Sequence, residues 1–115
     1  MKPKTRAALL ECVGGDFALL REIVALFAED APRQLEAIRK AIAAGDAKAL
    51  AMAAHTLKGA AANFDPGEAA GLALRLERLG RAGTVEGAAE LCDALAKAIG
   101  DLGTELSRLC DEPRP

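Results

Sequence analysis

His55 is the only histidine in the chain and stands in the run Ala54-His55-Thr56-Leu57-Lys58-Gly59, with a cation three residues on and a glycine four residues on. On a helix those two offsets are the nearest neighbours of His55 on the same surface. Neutral imidazole is a competent nucleophile near pH 7, and the phosphoramidate it forms is labile enough to be passed on. An ammonium group at i+3 stabilises a dianionic phosphoryl group that a neutral helix surface would hold poorly. Glycine inside a helix costs about 1 kcal/mol relative to alanine. At i+4 the missing side chain offsets that cost by leaving room for a tetrahedral group and for a second protein to approach the ring. Singly, each residue has a plainer explanation, since lone histidines and lysines on helices are mostly solvated and glycines often serve close packing. Together they point to holding and releasing a phosphoryl group.

The helix that must position them is predicted over 46–64, with Asp46 as its cap. Projected at 100° per residue, Leu50, Ala54, Leu57, Ala61 and Phe64 fall on the core side. His55 falls roughly opposite, together with Lys48, Ala51, Met52, Gly59 and Ala62, and Lys58 lies at the boundary. The histidine is therefore expected to be exposed. The small, partly apolar residues Ala51, Met52 and Ala62, with Lys48, are the candidate partner-binding surface, over which a partner could close and exclude water.

Elsewhere apolar residues recur every three or four positions and no stretch alternates as a half-buried strand does, so the chain is predicted to be all-helical. Gly14-Gly15-Asp16 ends a short first helix and caps a second carrying Leu20, Ile23, Val24 and Phe27. Asp30-Ala31-Pro32 marks a new start, and a third helix, about 31–44, carries Leu35, Ile38 and Ile42 and closes at Gly45. Asp65, Pro66 and Glu68 open a helix bearing Leu72, Leu76 and Leu79, which Gly80 to Gly83 break. Thr84 caps the last, whose seam is Leu91, Leu95, Ile99, Leu102, Leu106 and Leu109, with Gly100 and Gly103 as points of bending. Short connections between the last four amphipathic helices predict an antiparallel up-down four-helix bundle with two shorter N-terminal helices packed on it. Residues 111–115 form a polar, proline-rich tail that should fray.

The 115 residues fit a single domain. Apolar residues make up 51% but aromatics only 3%, so the core is aliphatic and alanine-rich, suited to closely packed helices. Fifteen basic and 17 acidic residues give a net charge of -2 without basic or acidic blocks, which argues against nucleic acid and anionic membranes as partners. No apolar run reaches the roughly 18 residues of a membrane span, and the polar start does not resemble a signal peptide. These features predict a soluble, cytoplasmic protein. Cys12, Cys92 and Cys110 are widely separated and lack ligand spacing, so they read as reduced thiols. A metal or cofactor site lacks the companion ligands that a single histidine would need. There is no Walker loop and too little chain for an ATP-binding domain, which excludes an autonomous kinase.

The stretch from Ala54 to Phe64 closely resembles the signature of bacterial histidine-phosphotransfer (HPt) domains. Gly14-Gly15-Asp16, Phe27, Leu35 and Leu76-Glu77 are similar to that family's flanking pattern, so the resemblance covers about Leu9 to Leu109. It implies a phosphocarrier rather than an enzyme, with His55 as phosphoacceptor, Lys58 as charge partner and Gly59 as the small neighbour. It also implies response-regulator receiver domains and a hybrid sensor kinase as partners. No cofactor of its own is implied, the Mg²⁺ being expected in the partner receiver domain. A monomer is the default. Two departures are visible: Ala60 stands where the family often has serine, and Asp65-Pro66 where a Gly-Ala pair is common. The competing expectation is a helical adaptor that docks receiver or kinase domains without carrying phosphate.

Overall fold

The computed structural model describes residue 11 and residues 14–64 and 67–111. Four helices make up most of it: α1 Phe17–Ala44, α2 Ala47–Ala62, α3 Glu68–Arg81 and α4 Ala88–Asp111. Among the described residues there is no strand. Asp16 and Asp46 cap α1 and α2, each side chain accepting an amide three residues on, from Leu19 and Ala49, at 3.0 Å. Gly45 ends α1 in the left-handed conformation (φ 68°) that favours glycine. Each helix packs on its chain neighbours and α1 packs on α4, closing the four into a ring.

Along α1, Leu20, Val24, Phe27, Ala31, Leu35 and Ile38 are buried, and along α4 Leu95, Ile99, Leu102 and Leu106. The rings of Phe27 and Phe64 meet with centroids 5.2 Å apart and planes tilted by 60°, a favourable aromatic arrangement. Burying each large aliphatic side chain contributes about 1.5–3 kcal/mol. Cys92 belongs to this core, and burial pushes its thiol pKa up. Cys110 is half-buried near the end of α4, while Cys12 lies outside the described residues.

The α2–α3 seam is the most extensive of the four, and its residues are small. Ala53, Ala54 and Ala61 of α2 and Ala69, Ala70, Ala73 and Gly80 of α3 are all buried. Small side chains let helix axes approach closely. That closeness brings polar groups of α3 within bonding distance of those on α2.

Three expected boundaries are corrected. The break at Asp30-Ala31-Pro32 is absent, and α1 runs unbroken through Pro32. Proline costs a helix interior about 3 kcal/mol through its missing N–H and its clash with the i−4 carbonyl. Here Pro32 and Ala28 are both exposed, so the carbonyl left without its partner is on the solvent side. Burial of the neighbouring Ala31 and Leu35 offsets the cost. One long helix therefore replaces the two expected, and the short helix expected before Gly14 lies, Glu11 apart, outside the described residues. Gly80 does not break α3 but sits inside it, buried. Thr84 does not cap α4 directly: its Oγ1 accepts the Glu86 amide at 3.0 Å, which closes a turn ahead of the helix start at Ala88. The expected cap Asp65 and Pro66 lie outside the described residues, α3 opening from Gly67 without a side-chain cap bond. α4 continues as helix through Gly100 and Gly103 to Asp111, beyond which the expected tail is not described.

Candidate functional site

The apolar stripe of α2 decides where His55 points. Leu50, Ala54, Leu57, Ala61 and Phe64 are all buried, so the opposite side of the helix faces out and the His55 side chain is 60% exposed. Its ring is nonetheless anchored. Nδ1 lies 3.0 Å from Oε2 of Glu77 on α3. Glu77 is the one charged or polar side chain among the buried residues described, only 4% exposed.

A buried carboxylate needs compensation, and Glu77 has it from three donors. Lys58 Nζ donates to Oε1 at 2.7 Å, and Arg81 Nη2 lies 2.6 Å from Oε2, the oxygen that also meets His55. The ammonium of Lys58 is the largest influence holding the carboxyl down, to about 2; burial opposes it, and the His55 bond and the charges of Lys58 and Arg81 add to the lowering. Glu77 is thus ionised at neutral pH and can only accept hydrogen bonds. Nδ1 must then carry the ring proton, which in the neutral imidazole leaves the lone pair on Nε2.

Gly80 sets the register of this arrangement. A Cβ on Gly80 would stand 2.5 Å from the carbonyl oxygen of Ala47 and 2.7 Å from the amide nitrogen of Ala51. No other residue fits there without moving a helix. The contact brings Glu77, one turn earlier on α3, and Arg81, the next residue, to the histidine. An open depression of about 380 Å³ adjoins the ring, lined by Lys48, Ala51, Met52, His55, Thr56 and Arg81. Met52 is 65% exposed in it. Among the described residues no group of three or more histidine, cysteine or acidic side chains is placed to hold a metal ion, and no helix is long and apolar enough to cross a membrane.

The Hpt domain profile matches residues 22–111 of the chain. The chain belongs to the Hpt domain family. The crystal structure of histidine-containing phosphotransfer protein B (HptB) from Pseudomonas aeruginosa PAO1 superposes with a TM-score of 0.81 at 26% identity, over 95% of this chain and 92% of that one. No curated protein matches the chain by sequence. The all-helical class is therefore the Hpt fold, and Hpt domains are phosphocarriers rather than enzymes.

Within this Hpt domain, the residues singled out from sequence are brought together unequally. His55 and Gly59 lie exposed on one surface of α2, and nothing stands within 4 Å of a Cβ built on Gly59. Lys58 is close by, but its ammonium is engaged with Glu77 and its side chain is 29% exposed. Lys48, Ala51 and Met52 share the depression with His55; Ala62 is half-buried and not part of its wall. Ala51, expected on the open surface, is half-buried because Gly80 packs on its backbone.

Neither Glu77 nor Arg81 is a site residue in the sequence reading, where Glu77 enters only as part of the Leu76-Glu77 flanking pattern. A signal for Glu77 existed: Ala70, Ala73 and Gly80 lie seven and four residues before it and three after, so the acid falls on the core stripe of its own helix. A charge in that place demands partners.

Proposed function

We propose that this protein is a phosphorelay intermediate that accepts a phosphoryl group from a receiver-domain aspartate on Nε2 of His55 and passes it to the aspartate of another receiver. The observation that carries this reading is the exposed imidazole whose Nδ1 is held by a buried, ionised Glu77. In the neutral ring so held, Nδ1 carries the proton and the lone pair lies on Nε2 of the exposed side chain. As Nε2 attacks phosphorus, the bond to the aspartyl oxygen breaks and positive charge develops on the ring. Glu77 faces that charge and stabilises it. The Nδ1 proton stays where it is throughout.

Lys58 stabilises the arriving charge by turning to it from Glu77, and Gly59 leaves the approach to the ring open. Lys48, Ala51 and Met52 supply a docking wall with exposed apolar surface and a cation, while Ala62 is a more distant contact. The metal in this reading is the receiver's own Mg²⁺, which neutralises phosphoryl oxygens in transfer. A hybrid sensor kinase is the expected source of phosphate, the cytoplasm the expected place, and a monomer the expected state. Incubation with a phosphorylated receiver domain and Mg²⁺ should place acid-labile, base-stable label on the chain and none on His55→Gln. Equal label on that variant would refute the assignment.

A further inference from the structure

Glu77 holds more positive charge than it needs. One buried carboxylate faces two full cations, Lys58 on Oε1 and Arg81 on Oε2, besides the imidazole N–H. The two cations are not equivalent. Arg81 stands four residues after Glu77 on the same helix, so carboxylate and guanidinium belong to one rigid element. Lys58 comes from α2, one turn beyond His55 on the helix that carries the reactive ring. Its flexible stem and rotatable ammonium suit it to change partners, whereas the planar guanidinium presents several donors in a fixed fork.

A phosphoryl group on Nε2 would bring two negative charges to the surface of α2. Lys58 can answer them only by leaving Glu77. Were Lys58 the sole cation on that carboxylate, its departure would strand a buried negative charge on a single imidazole N–H. Arg81 prevents this, because it bonds the other oxygen and need not move when Lys58 does. We propose that Arg81 is a positioning residue that makes Lys58 exchangeable, keeping Glu77 paired while the lysine swings from the carboxylate to a phosphoryl group on His55. The contact of Gly80 with Ala47 and Ala51 supports the same role, since it fixes α3 against α2 immediately beside Arg81. The inference rests on the reading of His55 as phosphoacceptor and adds how its charge partner becomes available.

The test loads the intact chain with phosphoramidate, a small donor that needs no receiver. Nε2 attacks phosphorus, the P–N bond breaks, ammonia leaves and the Nδ1 proton remains. The ¹⁵Nζ resonance of Lys58 is followed by NMR in the wild type, Arg81→Gln and Arg81→Lys. In the wild type that resonance should shift on loading. In Arg81→Gln the shift should be largely lost and loading slowed by about threefold, the effect of a partly exposed charge pair. Arg81→Lys should restore both, which a purely structural role would not require. A full Lys58 shift in Arg81→Gln would overturn the proposal, as would a wild-type response in the Arg81 Nε resonance with Lys58 unmoved. Failure of phosphoramidate to label His55 at all would instead overturn the carrier reading, so the two failures are distinguishable.

Discussion

The backbone of Gly80 lies against the amide of Ala51, so near that a methyl group between them would stand 2.7 Å from that nitrogen. In an ordinary helix, replacing glycine by alanine stabilises by up to about 1 kcal/mol. Here the neighbour is backbone, which cannot turn aside, and overpacking costs about 1–3 kcal/mol. The clash therefore wins. Gly80→Ala should lower the denaturant midpoint and slow phosphoryl transfer, because Glu77 and Arg81 shift with α3. A midpoint equal to or above that of the wild type would show that the seam can relax.

Gly59 should respond to the same substitution with the opposite sign. Nothing lies near its missing Cβ, so Gly59→Ala should stabilise the fold by about 0.5–1 kcal/mol. A longer side chain reaches over the ring one turn away. Gly59→Gln should hold that stability yet transfer more slowly, read by unfolding and receiver-transfer measurements on one preparation. Equal transfer by glutamine and glycine would remove the steric account of this position.

Glu77 links the site to the pH dependence of folding. Its carboxyl is held at about 2, well below its ordinary value of 4.5, chiefly by the Lys58 bond. A depressed acid stabilises the folded state fully above its unfolded value, and the contribution fades as pH falls from about 4.5 towards 2. Glu77→Gln should therefore be less stable at neutral pH and flatter over that window when unfolding midpoints are compared between pH 7 and pH 2. The amide also fails to impose the Nδ1 tautomer, so transfer should fall on the order of tenfold. Parallel pH profiles for wild type and variant would contradict the burial and pairing of this carboxylate.

Much of this was legible in the residues, and what was not has physical reasons. The exposed side of α2 follows from five apolar positions at helical spacing, and the caps Asp16 and Asp46 from short polar side chains before apolar runs. Local signals suffice there. Glu77, Arg81 and Gly80 act across a helix–helix seam, and no offset along one helix says what lies on the next. Gly80 reads as a helix end because glycine's turn-forming freedom and its small size are the same in sequence. Pro32 reads as a helix start because the burial that overrides it is tertiary.

The mid-helix position of Pro32 can be tested directly. At the first position of a separate helix, proline is preorganised and bonds no carbonyl, so replacing it would be neutral or destabilising. In the middle of α1 it removes a bond to the Ala28 carbonyl and crowds that group, at about 3 kcal/mol. Part of this returns in the unfolded state, where proline's restricted chain is worth about 0.4–1 kcal/mol. Pro32→Ala should therefore stabilise the protein by about 2 kcal/mol, a rise in Tm of roughly 8 °C for a domain of this size. Ala28 and Pro32 are exposed and distant in sequence from His55, so phosphoryl transfer should be unchanged. A lowered Tm would mean that α1 is two helices after all, with the chain turning at Asp30.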